Sequence, residues 1–137
     1  MSDQQRIDTQ KLIDHCVEFA EIMLNDGNEF YPFAATIDFK NELTPTSYYD
    51  GNEYPLSQDL IDKLQPKLEE YLTEKIKRSF ALCYDVRIKS NEDSEAKDAI
   101  AIRIKHSDSL NTIIYYYAYI IKDNKVEYKE SWGEIQE

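Results

Sequence analysis

Thr112-Ile113-Ile114-Tyr115-Tyr116-Tyr117-Ala118-Tyr119-Ile120-Ile121, residues 112–121, is the stretch whose reading decides the fold. Both of its alternating faces are apolar, so it predicts a central strand covered on both sides. Lys122-Asp123-Asn124-Lys125 follows as a hairpin turn, because Asp-Asn tolerates positive φ. Residues 126–130 return as the final strand. Upstream, Ile100, Ile102 and Ile104 alternate over residues 98–107, and Phe80, Leu82, Tyr84, Val86 and Ile88 alternate over residues 80–89. A polar loop at 90–97 joins them. These four strands form an antiparallel meander.

Further out the period changes. Leu60, Ile61, Leu64, Leu68, Tyr71, Leu72 and Ile76 mark the buried face of a helix over residues 57–79. Ser57 is its expected N-cap, Asp59 suits its positive end, and Lys75, Lys77 and Arg78 suit its negative end. Pro66 removes one helical hydrogen bond and is expected to kink or split it. Residues 30–39 read as a strand with one greasy face, with Pro32 at its start or on a sheet edge. Residues 40–56 read either as a turn and a short second strand at 44–49, or as an ordered loop carrying Tyr48, Tyr49 and Tyr54. Ile13, Cys16, Val17, Ala20, Met23 and Leu24 define a first helix over residues 8–25, capped by Asp8 or Thr9 and ended at Gly27.

The implied order is α-β-(β)-α-β-β-β-β in one domain, residues 1–137. This is an α+β fold, a mainly antiparallel five- or six-stranded sheet with two helices, in the manner of a profilin-like or roadblock-like sandwich. That analogy carries no function.

Acids outnumber bases 27 to 16, giving a net charge of −11. A phosphate-binding surface needs clustered Lys and Arg, so neither nucleic acid nor an anionic membrane is an expected ligand. A basic protein partner fits that charge, as does plain solubility. The opening residues show no signal peptide, no apolar run spans a bilayer, and Cys16 and Cys83 have no disulfide or zinc spacing. The expectation is a cytoplasmic protein with reduced thiols, no cofactor and no metal site.

No residue is assigned a catalytic role. His15 and Cys16 are neighbours on a helix, so they point about 100° apart and do not form a nucleophile–base pair. The acidic runs Asn91-Glu92-Asp93-Ser94-Glu95 and Asp50-Gly51-Asn52-Glu53 lack the spacing of a calcium loop. Three glycines leave little scope for a phosphate cradle.

The binding candidates are Tyr115, Tyr117 and Tyr119, on one face of the 112–121 strand, with Tyr116 on the other. They form either an aromatic ladder beneath a helix or an exposed platform for a partner. Ala81, Cys83, Ala99 and Ala101 are small positions assigned to that same face. Asp38 and Asp85 each sit within an apolar strand. If buried, either would have a raised pKa suited to acid–base work.

Four segments together carry a resemblance: Phe30-Tyr31-Pro32-Phe33-Ala34-Ala35-Thr36-Ile37-Asp38, Tyr84-Asp85-Val86-Arg87-Ile88, Asp98-Ala99-Ile100-Ala101-Ile102 and Tyr115-Tyr116-Tyr117-Ala118-Tyr119. In order they resemble a family of small uncharacterised bacterial proteins with FYPFA…ID, YDV and DAI strands. The family's proline in the last strand is replaced here by Tyr117-Ala118, which fits a fully paired strand. The resemblance brings no activity with it. In size and charge the chain also resembles toxin-immunity proteins. The expected function is a non-catalytic protein-binding domain of immunity or regulatory type. The alternative is a small-molecule or metal binder, an enzyme included, with a pocket between helix and sheet. Homodimerisation through the tyrosine face or a sheet edge is a third reading.

Overall fold

A computed structural model describes residues 2–47, 51, 56–89, 96–109 and 111–136. Its elements are α1 (Asp3–Gly27), β1 (Phe33–Ile37), β2 (Leu43–Thr46), α2 (Ser57–Thr73), β3 (Ser79–Lys89), β4 (Ala96–His106), β5 (Thr112–Lys122) and β6 (Lys125–Gln136). The expected α+β order holds. The strands form one six-stranded antiparallel sheet in the order β2-β1-β3-β4-β5-β6. β3 to β6 are the meander, and the β1–β2 hairpin adds to the outer edge of β3. The two helices cover opposite faces. α1 packs on Ala81, Cys83, Ile100 and Ile102, and α2 packs on Ala34, Phe80, Leu82 and Ala101.

Several expectations are corrected. α1 starts five residues before the expected Asp8, because Ser2 and Gln5 form a reciprocal capping box. Neither Asp8 nor Thr9 is the cap; Asp8 is buried inside the helix. The left-handed residue at its end is Asn28, φ 62°, not Gly27. β1 does not have one greasy face: all five of its residues are buried, because β2 and β3 flank it and a helix lies over each side. The short second strand is present, paired with β1 from Ala34↔Thr46 to Ile37↔Leu43.

α2 buries Leu60, Leu64, Leu68 and Leu72, a four-residue repeat along one face. It runs unbroken through Pro66, which lies on its exposed side. Leu56 occupies the N-cap position and Ser57 is already helical, without a side-chain cap. The helix stops at Thr73, not residue 79. Lys75 takes φ 59°, and the Lys75 and Ile76 amides return to the Leu72 and Tyr71 carbonyls. Lys75, Lys77 and Arg78 therefore lie beyond the helix, and Ile76 is exposed.

β5 is not central. It is second from the edge, and only Ile114, Ala118 and Tyr119 in it are fully buried. β6 reaches Gln136, well past the expected residue 130, with a register shift between Tyr117 and Tyr119 that bulges β6 at residues 129–130. Asp123 and Asn124 both have positive φ, as the two-residue turn requires. The expected features at 48–50, 52–55 and 90–95, including Tyr48, Tyr49, Tyr54 and the acidic run 91–95, lie outside the described residues.

Candidate functional site

Strand alternation places Tyr115, Tyr117 and Tyr119 on the α1 face. Tyr119 is buried there, and half-buried Tyr115 and Tyr117 pack against the same cluster as Leu12, Cys16 and Ala20. Of the small positions, Ala81 and Cys83 share that face. Ala101, and with it Ala99, belongs to the α2 face, because pairing with β3 puts Ala101 opposite Tyr84 and Ile102 opposite Cys83.

The register brings two candidates together. The Tyr119 hydroxyl donates to Asp85 Oδ1 at 2.8 Å. Burial pushes the Asp85 carboxyl up to about 6, against the Tyr119 hydrogen bond, with Asp98 and Glu29 adding to the rise. Burial, then Asp85 itself, raises the Tyr119 hydroxyl. Below the ordinary carboxyl value of 3.8, Asp85 is protonated in both folded and unfolded chains and has no effect on stability. Between there and about 6 the unfolded chain releases the proton first, so stability falls as pH rises. Asp85→Asn keeps an acceptor for Tyr119 and removes the charge. It is expected to stabilise by roughly 1 kcal/mol at pH 7.5, a value discounted for the solvent reaching this half-buried group, and to be neutral near pH 3.5. Urea unfolding at the two pH values measures it, and a destabilised variant at pH 7.5 contradicts it.

Asp38 is different. It is half-buried, and its Oδ1 accepts from the Lys40 and Glu42 amides at 2.8 and 3.0 Å, closing the β1–β2 turn. The Glu42 amide, with that of Lys40, outweighs desolvation and holds its carboxyl below the ordinary value. A carboxylate spent on backbone amides is a turn cap, not a proton donor.

The most constrained polar cluster was not among the sequence candidates. Asp8, with 1% of its side chain exposed, receives Arg78 in a bidentate pair, Nε to Oδ2 at 2.7 Å and Nη2 to Oδ1 at 2.9 Å. Gln4 Nε2 donates to Oδ1 at 2.8 Å. Burial works to raise the Asp8 carboxyl, but the hydrogen bonds from Arg78, Gln4 and His106 prevail and hold it below the ordinary value. His106, 4% exposed, approaches Asp8 Oδ2 with Nε2 at 2.9 Å, and its Nδ1 accepts the Asp108 amide at 3.1 Å. Those bonds assign the proton to Nε2. Both ring nitrogens are engaged, so the imidazole ties α1 to the end of β4 and has no lone pair to offer a substrate. Arg78 extends the tie through Nη2 to Asn41 Oδ1 at 2.7 Å and through its amide to the Ile37 carbonyl at 2.8 Å. One signal pointed here: Asp8 falls in step with Leu12, Cys16, Ala20 and Leu24, all buried, and a charge on an apolar stripe needs a partner.

His15 is half-buried, stacked on Phe19 with centroids 6.1 Å apart and edge-on to Phe33 at 6.5 Å; its Nε2 has no hydrogen-bond partner. Cys16 and Cys83 are free, buried thiols in the same cluster, where α1 packs on β3. Burial raises the Cys83 thiol, which makes it a poor nucleophile. Among the described residues, no group of three or more His, Cys, Asp or Glu is placed to hold a metal. No helix among them is long and apolar enough to cross a membrane.

The opposite face of β5 carries a larger surface feature. α2 packs on β3 and β1, and its cluster ends at Ile114 and Tyr116. Beyond it Trp132 of β6 stacks on Tyr116, ring centroids 5.2 Å apart and planes 24° apart. Both rings are half-buried, and Ile120 of the same face is 43% exposed. Arg103 borders this patch, lying over the Tyr84 ring at 5.4 Å and donating to Gln65 Oε1 at 2.8 Å. On the α1 side of β5 and β6 two open grooves flank the tyrosines. One, about 420 Å³, lies between Thr9, His106, Asn111, Ile113, Tyr115 and Ile135. The other, about 330 Å³, lies between Val17, Tyr117, Tyr128 and Ser131.

No family model, curated protein or solved structure matches this chain.

Proposed function

We propose that this is a non-catalytic protein-binding domain, an immunity-type or regulatory protein whose partner is basic. The observation that carries the reading is the Tyr116–Trp132 stack on the part of the sheet that α2 leaves open. Large rigid aromatic rings gain contact area at little entropic cost and dominate binding energies at interfaces. The net charge of −11 supplies the attraction for a basic partner and speeds encounter with it.

Affinity capture from the native host tests this, with the parent chain and Trp132→Ala as paired baits. The expected partner is held by the parent, is released by raised salt, and binds the variant about 30-fold more weakly, equivalent to about 2 kcal/mol at a central aromatic. A partner that binds both baits equally refutes the role of the stack, and the lack of any salt-sensitive partner refutes the function. The 420 Å³ groove favours a second reading, a small-molecule binder, since its size suits a metabolite. Titration of a metabolite panel, followed through the amide signals of Thr9, His106 and Tyr115, tests that reading.

A further inference from the structure

We infer that the free edge of β6 from Ser131 to Gln136 receives an extended, basic segment of the partner, which adds a seventh strand to the sheet. This rests on the protein-binding reading and specifies its geometry. A sheet has two edges, and this one protects them unequally. The β2 edge is four residues long and carries Pro45, which has no amide to donate. The β6 edge is twelve residues long and has no proline.

The first half of β6 is the less continuous part of this edge. A two-residue hairpin makes Lys122 and Lys125 a hydrogen-bonded pair, so the Val126 amide points away from β5. It is already used, donating to Asn25 Oδ1 of α1 at 2.8 Å. The bulge at residues 129–130 then interrupts the edge. From Ser131 onward pairing is regular, Tyr117↔Ser131 to Thr112↔Gln136. The same alternation along β5 directs the amides of Ser131, Gly133 and Ile135 outward. They have no acceptor among the described residues.

The surroundings of this half-edge suit alternating side chains. On the α1 side it borders both grooves, Ile135 at the larger and Ser131 at the smaller. Between them Gly133 keeps the strand low. A Cβ there would stand 3.3 Å from the Tyr115 ring, so that ring occupies the space a side chain would take. On the other side is the Tyr116–Trp132 stack. An added strand would send every second side chain toward the grooves and the rest toward the tryptophan, while its backbone bonds the three free amides. The charge of the occupant follows from the neighbours. The larger groove is lined by Asp108 and by no Lys or Arg, the smaller by Lys129 and Glu130, whose charges balance, and Glu134 lies on the edge itself, in a chain of net charge −11. That favours a basic segment and opposes a second copy of this chain.

The test uses the folded full chain and a random twelve-residue peptide display library, then a synthetic copy of the strongest binder. The expected peptides alternate apolar residues with Lys or Arg. On binding, the Ser131, Gly133 and Ile135 amides gain protection from hydrogen exchange. Ser131→Pro removes one outward donor at a position where an edge strand accepts proline. It is expected to weaken binding at least tenfold, whereas Ser131→Ala binds like the parent. Ile135→Pro replaces the first variant if that one does not fold. Binders that shift Tyr116 and Trp132 but leave the three amides unprotected overturn strand addition and leave the protein-binding reading standing. Equal binding by the proline variant overturns it too, as does self-association through this edge in sedimentation. No binder at all sinks both.

Discussion

Asp8→Ala is expected to destabilise the fold by about 3–5 kcal/mol, because it leaves the Arg78 guanidinium buried without a counter-charge. Only 11% of the Arg78 side chain is exposed, so water replaces the carboxylate poorly. His106 loses the acceptor for its Nε2 proton in the same step. For 137 residues the loss corresponds to a fall in Tm on the order of 10–15 °C. The pH dependence has a definite sign. The Asp8 carboxyl is held below its ordinary value of 3.8, so its contribution is complete above that pH and is lost as pH falls through the folded value. The deficit of Asp8→Ala is therefore full at pH 7 and shrinks only in strong acid. Asp8→Leu combined with Arg78→Met recovers much of the loss, since an apolar pair of similar bulk needs no desolvation. Urea unfolding of the single and double variants gives the comparison. A single variant within 1 kcal/mol of the parent would show that the network holds nothing together.

Phe80→Ala is the second large loss, about 3–5 kcal/mol. Phe80 heads the fully buried side chains by volume. It shares its cluster with Leu64, Leu68 and Leu72 of α2 and with Leu82, so truncation leaves a cavity between two rigid layers. It pairs with Thr36 on one side and Lys105 on the other, and the sheet cannot collapse to fill the gap without breaking both ladders. Phe80→Leu, which keeps most of the volume, is expected to cost less than about 1.5 kcal/mol. Thermal unfolding of the two variants separates a cavity effect from a generic core effect: equal losses would contradict it.

The strands were legible in the sequence because alternation is a local signal. Ile100, Ile102 and Ile104 in one strand, or Phe80, Leu82 and Tyr84 in another, place themselves within two residues of the observed bounds. Local signals could not show which strand is central. Residues 112–121 are apolar on both faces, yet α2 packs on β3 and β1 and its cluster reaches only Ile114 and Tyr116 of β5. The far end of β6 escaped notice because Ser131 to Gln136 mixes Gly, Glu and Gln with single apolar residues, as an edge strand does. Asp85 and Tyr119 were each nominated, but their meeting depends on strand register across β4. Asp8, Arg78 and His106 are separated by 70 and 98 residues from Asp8 onward, and no periodicity joins them. The charge at one position of the α1 stripe was the only trace they left.

Those separations govern the order in which the molecule can be assembled on the ribosome. α1 is made first, but Ile100 and Ile102, which cover its stripe, and His106, which holds its first turns, come from β4. At about 5–20 residues per second, the 98 residues between Asp8 and His106 take roughly 5–20 s to emerge. Through that interval Leu12, Cys16 and Ala20 meet only part of their native surface, first Phe33, Ala35 and Ile37 of β1 and then Ala81 and Cys83 of β3. β1 and β2 are close in sequence and pair early in synthesis, whereas α1 completes its packing only once β4 has emerged. The amino-terminal helix therefore stays incompletely covered until most of the chain has been made.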